Sequence, residues 1–294
     1  MERTINSSKQ DVKLIYKKKL KFKDIRNLWL QRIALWIIIA IVLFPIVTVI
    51  SASMAKGDAF YQGSIFPQVW SFENYSKVLK ETDFKIWVKN SMMVCFSVAI
   101  LQLLMTTTAG YSFSRMRFKG RKTELLVLLI LQMFPGIMTV SAILGVAYRL
   151  GFMDQLWALI LVCAGGSAYN IWLFKGFIDG IPVSLDEAAM VDGASHWQVF
   201  RKIIIPLSRS MLAVTFLFSF IGIYGEFVFT SALIKDSSLY TVAIGLQTFI
   251  NNKFSTNWTQ FSAASIMASL PIVIVFMLLQ KFISKGLVAG ALKE

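Results

Sequence analysis

Six apolar runs, at about 33–53, 89–113, 124–148, 156–178, 210–234 and 259–283, dominate the 294-residue chain. Each approaches or exceeds the roughly 20 residues a helix needs to cross about 30 Å of hydrocarbon. A bilayer offers the backbone no partners, so runs of this kind must satisfy their own hydrogen bonds as helices. The rest of the composition agrees. With 56% hydrophobic residues, 16% charged and mean hydropathy +0.64, the chain lacks the polar surface of a soluble domain. The expectation is an all-α integral membrane protein with six transmembrane helices.

A formal net charge of +14 suggests a nucleic-acid partner until the charges are located. With six spans, both termini fall on one side of the membrane. That side carries ten Lys and Arg in residues 1–32, five in 115–122, four in 175–209 and three in 281–294, which is 22 of the 30. The asymmetry follows the positive-inside rule and puts both termini in the cytoplasm of a multi-pass cell-membrane protein. The tract KLIYKKKLKFKDIR (13–26) then faces anionic headgroups, and no nucleic acid is needed. The expected organisation is a basic cytoplasmic tail (1–32), a first transmembrane helix (33–53) and an extracytoplasmic loop (54–86). A transmembrane core (87–281) and a cytoplasmic tail (282–294) follow. Ser53-Met54-Ala55 imitates a signal-peptidase site, but its basic region exceeds thirty residues, so the first run reads as a retained anchor.

Little in the chain suggests catalysis. There is no G-x-x-x-x-G-K-[ST] loop, no H-E-x-x-H and no G-x-S-x-G, and a single histidine excludes a multi-histidine metal site. Cys95 and Cys163 sit in separate apolar runs as small hydrophobes. Two sequons begin at Asn74 and Asn257, on the expected outer side. Phe134-Pro135-Gly136 interrupts the third run and frees backbone groups, giving either a simple kink or a segment lining a pathway. No internal repeat is visible, so the inverted-repeat plan of many secondary transporters finds no support.

The longest polar interruption is residues 187–210, overlapping a loop expected to span 184–206. Pro182-Val183 closes the fourth run, and Ser184-Leu185-Asp186-Glu187 has the S-x-x-E form of a capping box. Asp186 and Glu187 then fall in a first turn, where the helix dipole favours anions. Ala188 and Ala189 keep one face flat, and Gly193 supplies the left-handed residue that ends a helix. Ser195-His196-Trp197-Gln198 repeats the capping form, followed by an apolar stripe of Trp197, Phe200, Ile203 and Ile204, with Pro206 as its limit. The predicted product is a two-helix elbow on the cytoplasmic face. Physical reading alone leaves two roles open: a docking surface, or a self-capped linker anchored by Trp197.

E-A-A, three residues, Gly193, nine residues, then I-x-x-P resembles the signature of bacterial ABC importer permeases. The departure is Ile205, where leucine is usual. QMFPGIMTVSAI (132–143), YNIWLFKGFIDGIP (169–182), SLYTVAIGLQTFI (238–250) and LVAGALKE (287–294) are similar to the carbohydrate class, and within it to the maltose/maltodextrin permeases. The likeness covers roughly 30–294. It implies the ABC transmembrane type-1 (MetI-like) fold and a coupling role for Glu187, Ala188, Ala189, Gly193, Ile203 and Pro206. The implied partners are a second permease, two ATPase subunits, an extracytoplasmic sugar-binding protein and an oligosaccharide. ATP and Mg would be bound by the ATPase partners, and this chain would hold no cofactor, no metal and no catalytic residue.

Glu226, about two-thirds along the fifth run, is the remaining candidate. A carboxylate at the bilayer centre costs roughly 2.5–3.5 kcal/mol on insertion scales, so it needs a partner or a wet cavity. It is either a pathway or gate residue or a structural hydrogen-bonding group. An ion-coupled secondary transporter is the alternative that would use it as a coupling charge, and a membrane enzyme would need a cluster of His, Asp or Ser that is absent.

Overall fold

The computed structural model describes residues 22–57, 66–67, 69–250 and 257–291. The first 21 residues of the basic tail and the last three of the carboxy-terminal tail lie outside them. Among the described residues the chain is helical, apart from one isolated bridge between Ala55 and Trp70.

Helix α1 (Phe22–Ser53) begins eleven residues before the predicted span, because an apolar helix, once nucleated, extends through FKDIRNLWLQR at little cost. The described residues 22–49 belong to a unit of their own, with side chains largely exposed. The second unit, from Ile50 onward, is organised around α3 (Phe84–Arg115), a helix of 32 residues without a break. A short α2 (Glu73–Glu81) precedes α3 in the predicted loop. Asn74 of α2 is buried and donates to the carbonyls of Ser53 and Ala55, so this sequon asparagine is committed to the fold. Ser53 and Ala55 are themselves buried.

Three of the predicted spans are broken. The third divides into α4 (Arg121–Gln132) and α5 (Gly136–Leu150), bent by 90° at the predicted Phe134-Pro135-Gly136 interruption. The fourth divides into α6 (Leu156–Ala164) and α7 (Ala168–Asp179), bent by 47°. Here Gly165-Gly166-Ser167 provides the weak point, which was expected to be continuous helix. The elbow follows as α8 (Val183–Val191), α9 (His196–Val199), a π turn (Phe200–Ile204) and α10 (Ile205–Leu207). The fifth predicted span is α11 (Arg209–Tyr224) plus α12 (Val228–Leu233), parted at Gly225-Glu226-Phe227. A 3₁₀ turn (Ser237–Leu239), α13 (Val242–Thr248) and α14 (Trp258–Ala291) complete the chain. By length and composition α1, α3 and α14 can each cross a membrane alone, and the bent pairs bring the number to as many as six.

Helix α3 packs on α11, α7 and α6, and α11 packs in turn on α14. Two glycines set the approach distances. At Gly110 of α3 a Cβ would stand 2.8 Å from the Phe174 ring of α7, and at Gly245 of α13 it would stand 2.1 Å from the Trp87 indole. Both positions need hydrogen where other residues carry carbon. Gly245→Ala should therefore destabilise the subunit by about 1–3 kcal/mol, the usual penalty of overpacking. A lowered thermal midpoint of the purified protein checks this, with Gly145→Ala, where nothing lies within 4 Å, as the neutral control.

Candidate functional site

The elbow begins two residues earlier than its sequence suggests. Pro182, with φ −55° and ψ 126°, already turns the chain, so α8 starts at Val183 and no side chain caps it. Ser184 is thus inside the helix, and the predicted S-x-x-E box does not form. Asp186 does not serve the helix dipole at the surface either. It is buried, and its Oδ2 accepts from Arg115 Nε of α3 at 2.5 Å. Glu187 and Ala188 are exposed, while Ala189 is half-buried against the cluster that α3 and α7 contribute.

Gly193 takes the expected left-handed conformation, at φ +86°. Gly193 N–H donates to Met190 O and Ala194 N–H to Ala189 O, a pairing that satisfies the last carbonyls of α8. The second capping box forms as predicted: Gln198 N–H donates to Ser195 Oγ at 3.3 Å, and Ser195 N–H to Gln198 Oε1 at 2.7 Å.

Beyond it the predicted stripe splits. Phe200 and Ile204 turn inward with Val199 onto Tyr111, Phe174, Ile178 and Ile181, and Ile203 is half-buried. Trp197 instead stands 62% exposed on the outside, joined by Val191 at 88% and by the exposed Leu185 and Met190. Exposed apolar side chains of this size on one small projection are a surface suited to a partner. Pro206 does not end the helix, which runs to Leu207 and then bends by 78° into α11. The π turn just ahead, with Ile205 N–H donating to Phe200 O, relieves the crowding a proline ring imposes on the carbonyl four residues back.

A network of polar contacts holds this elbow to the bundle. Arg115 Nη2 donates to Ile181 O at 2.7 Å, and Ser114 Oγ to Asp179 Oδ1 at 2.6 Å. Lys175 pairs with the same Asp179, and Tyr111 Oη donates to His196 O at 3.3 Å. Sequence reasoning missed Arg115, Ser114 and Asp179, because one sequence contains no signal linking residues 71 positions apart.

Glu226 lies far from the elbow, at the break between α11 and α12. Its Oε1 accepts from Phe229 N–H at 2.8 Å, and its Oε2 from Thr230 N–H at 2.9 Å and Thr230 Oγ1 at 2.7 Å. The partner its depth demands is thus the backbone of α12 itself. Glu226→Ala should unpair two amides and unravel α12, whereas Glu226→Gln should retain one acceptor. Tryptic sensitivity at Lys235, just beyond α12, should rise in the order wild type, Gln, Ala.

The matches to known proteins are extensive. Residues 102–288 fit the model of the "Binding-protein-dependent transport system inner membrane component" family. The maltodextrin transport system permease protein MdxG of Bacillus subtilis is 36% identical over 254 residues, 86% of this chain and 91% of that one. The maltose/maltodextrin transport system permease protein MalG of Escherichia coli K12 is 36% identical over 286 residues, 91% of this chain and 96% of that one. Among solved structures, a bacterial ABC transporter that imports the acidic polysaccharide alginate matches with TM-score 0.73 and 21% identity, over 89% of this chain and 98% of that one. The inward-facing MetNI methionine ABC transporter matches with TM-score 0.55 and 17% identity, over 68% and 94%. Likeness at this level of identity concerns the fold.

Proposed function

We propose a specific task for this chain, which belongs to the binding-protein-dependent transport system inner membrane component family: it is one of two permease subunits of an ATP-driven carbohydrate importer. It forms half of the pathway and one coupling lever, and makes or breaks no bond. The observation that carries the reading is the elbow itself, a two-helix projection clamped to the bundle by Arg115, Asp186 and a buried apolar cluster, with Leu185, Met190, Val191 and Trp197 left exposed. The relatives' names favour malto-oligosaccharide or a related oligosaccharide as cargo.

The partners in this proposal are a MalF-like second permease, two MalK-like ATPase subunits that bind ATP and Mg, and an extracytoplasmic sugar-binding protein. Both termini and the elbow lie on the cytoplasmic side. Glu187, Ala188, Ala189, Gly193, Ile203 and Pro206 shape the lever, with Glu187 and Ala188 at its surface and the others fixing its turns and inner packing. ATP binding closes the ATPase pair, draws the elbows together and opens the permeases outward. As a pathway or gate residue, Glu226 acts through α12, whose first turn it holds. The same bonds disfavour an ion-coupled secondary transporter, because both Glu226 oxygens are already occupied.

Co-expression with neighbouring subunits should yield a complex containing an ATPase, with uptake of maltodextrin in proteoliposomes that requires ATP and the binding protein. Uptake by this chain alone under an ion gradient would overturn the reading. Within the complex, Gly193→Val forces a β-branched residue into a left-handed backbone, at a cost of at least about 1–2 kcal/mol. No atom lies within 4 Å of the added Cβ, so the effect should come from the altered turn rather than from a clash. Weakened ATPase attachment or hydrolysis without transport is expected, and normal sugar-stimulated hydrolysis would remove Gly193 from coupling. Deleting residues 288–294 should impair hydrolysis and leave membrane insertion intact, as measured by ATPase turnover per assembled complex.

A further inference from the structure

Arg115 is the last residue of α3, and its guanidinium reaches two other segments as well as its own helix. Nε donates to Asp186 Oδ2 in α8, Nη2 to Ile181 O in the turn between α7 and α8, and Nη1 to Ser114 Oγ at 3.3 Å. Ser114 in turn donates to Asp179, at the end of α7. The pair is buried on both sides, with side-chain exposures of 7% for Arg115 and 4% for Asp186. By contrast, Lys77–Glu73 and Lys175–Asp179 are one-turn pairs within single helices. A buried ion pair adds little net stability, because desolvation offsets the attraction, but its directional bonds fix relative orientation.

The other end of α3 is fixed as well. Asn90 Nδ2 donates to Ser238 O and Tyr240 O, both at 3.0 Å, and Ser91 Oγ accepts from Val242 N–H at 2.8 Å. The two joints lie on one unbroken helix of 32 residues, and the stretch from Asn90 to Arg115 is about 37 Å long. Its neighbours α6–α7 and α11–α12 are interrupted. Helix α3 is thus a continuous member, bonded directly to the elbow, that can carry its displacement to the far end of the bundle.

We infer that Arg115 is a positioning residue for coupling: it locks the elbow to α3 so that the two move as one body. The inference rests on the lever role proposed for the elbow and assigns the joint through which that lever acts. Asp186 Oδ1 is buried with no partner among the described residues. One oxygen carries the joint in this state, and rotation of the guanidinium towards a two-oxygen contact would release Ile181 O. A lysine cannot replace this arginine, because a point ammonium lacks the planar fork that spans three acceptors.

The test follows distance and transport together. Spin labels at Ser184 of α8 and Leu104 of α3, both exposed, report the elbow-to-α3 distance in the assembled complex, and the native cysteines are buried. Wild type should give one narrow distribution. Arg115→Lys and Asp186→Asn should broaden it and lower the sugar transported per ATP at least about fivefold, the lower end of ordinary coupling effects. The double variant should be no worse than either single one, since both break one joint. Arg115→Met paired with Asp186→Leu keeps volume without directional bonds and should stay broad and uncoupled. Three outcomes would overturn the inference: an unchanged distribution in Arg115→Lys, full rescue by the apolar pair, or loss of assembly in every variant, which would assign the cluster to folding alone. If the wild-type complex transports no sugar, the functional reading falls, and the distance arm still decides whether Arg115 locks the joint.

Discussion

In an apolar surround, each backbone group freed by a helix break must find a partner inside the protein. This constraint explains where the chain places polar side chains within its spans. The break between α6 and α7 frees the Cys163 and Gly166 carbonyls and the Tyr169 amide. Gln102 of α3 donates to Cys163 O at 2.9 Å, and Gln132 of α4 receives from Tyr169 N–H at 2.6 Å while donating weakly to Gly166 O at 3.4 Å. One glutamine amide thus closes the ladder of a neighbouring helix from both sides. At the α11–α12 break Glu226 does the same for two amides. At the α4–α5 break Pro135 contributes no donor, which lowers the number of groups to be satisfied.

The breaks also divide the bundle mechanically. Helices α4 to α7, α11 and α12 are short segments joined at bends, whose relative angles can change at the cost of a few hydrogen bonds. Helix α3 has no such bend, and its glycine at position 110 lets α7 approach to ring contact. Asp154 performs the complementary task at the end opposite the elbow, accepting from the Lys235 and Asp236 amides and so tying the α5–α6 turn to the segment after α12.

How much of this was legible depended on whether the cause was local. Gly193 and the Ser195–Gln198 box were readable because each is fixed by residues within one turn. The interruption at Pro135 was readable for the same reason, though its 90° bend was not, since that angle is set by what α5 packs against. Gly165-Gly166 went unread because glycine pairs are tolerated in membrane helices, and only the distant Gln102 and Gln132 make a break there inexpensive. The Ser184 box failed because Pro182 had already turned the chain. The stripe of Trp197, Phe200, Ile203 and Ile204 has helical period, but period alone does not say which members face a core and which face a partner.

The same distinction separates the elbow's two faces. Its inner face is determined by this chain: Phe200 and Ile204 fill a cluster, and Arg115 and Asp186 orient it. Outside that inner face Leu185, Met190, Val191 and Trp197 are exposed, although one side of the Trp197 ring packs on Phe200 at 5.4 Å. Four side chains of this size, each partly or largely accessible to water, represent several kcal/mol of unrealised burial at about 1.5–3 kcal/mol apiece for full burial. A linker would gain nothing from keeping them there, and a monomeric surface would be more soluble without them. Their cost is recovered when another surface covers them, and in the proposed lever the Arg115–Asp186 joint and the Phe200–Ile204 cluster would pass a force applied there on to the bundle.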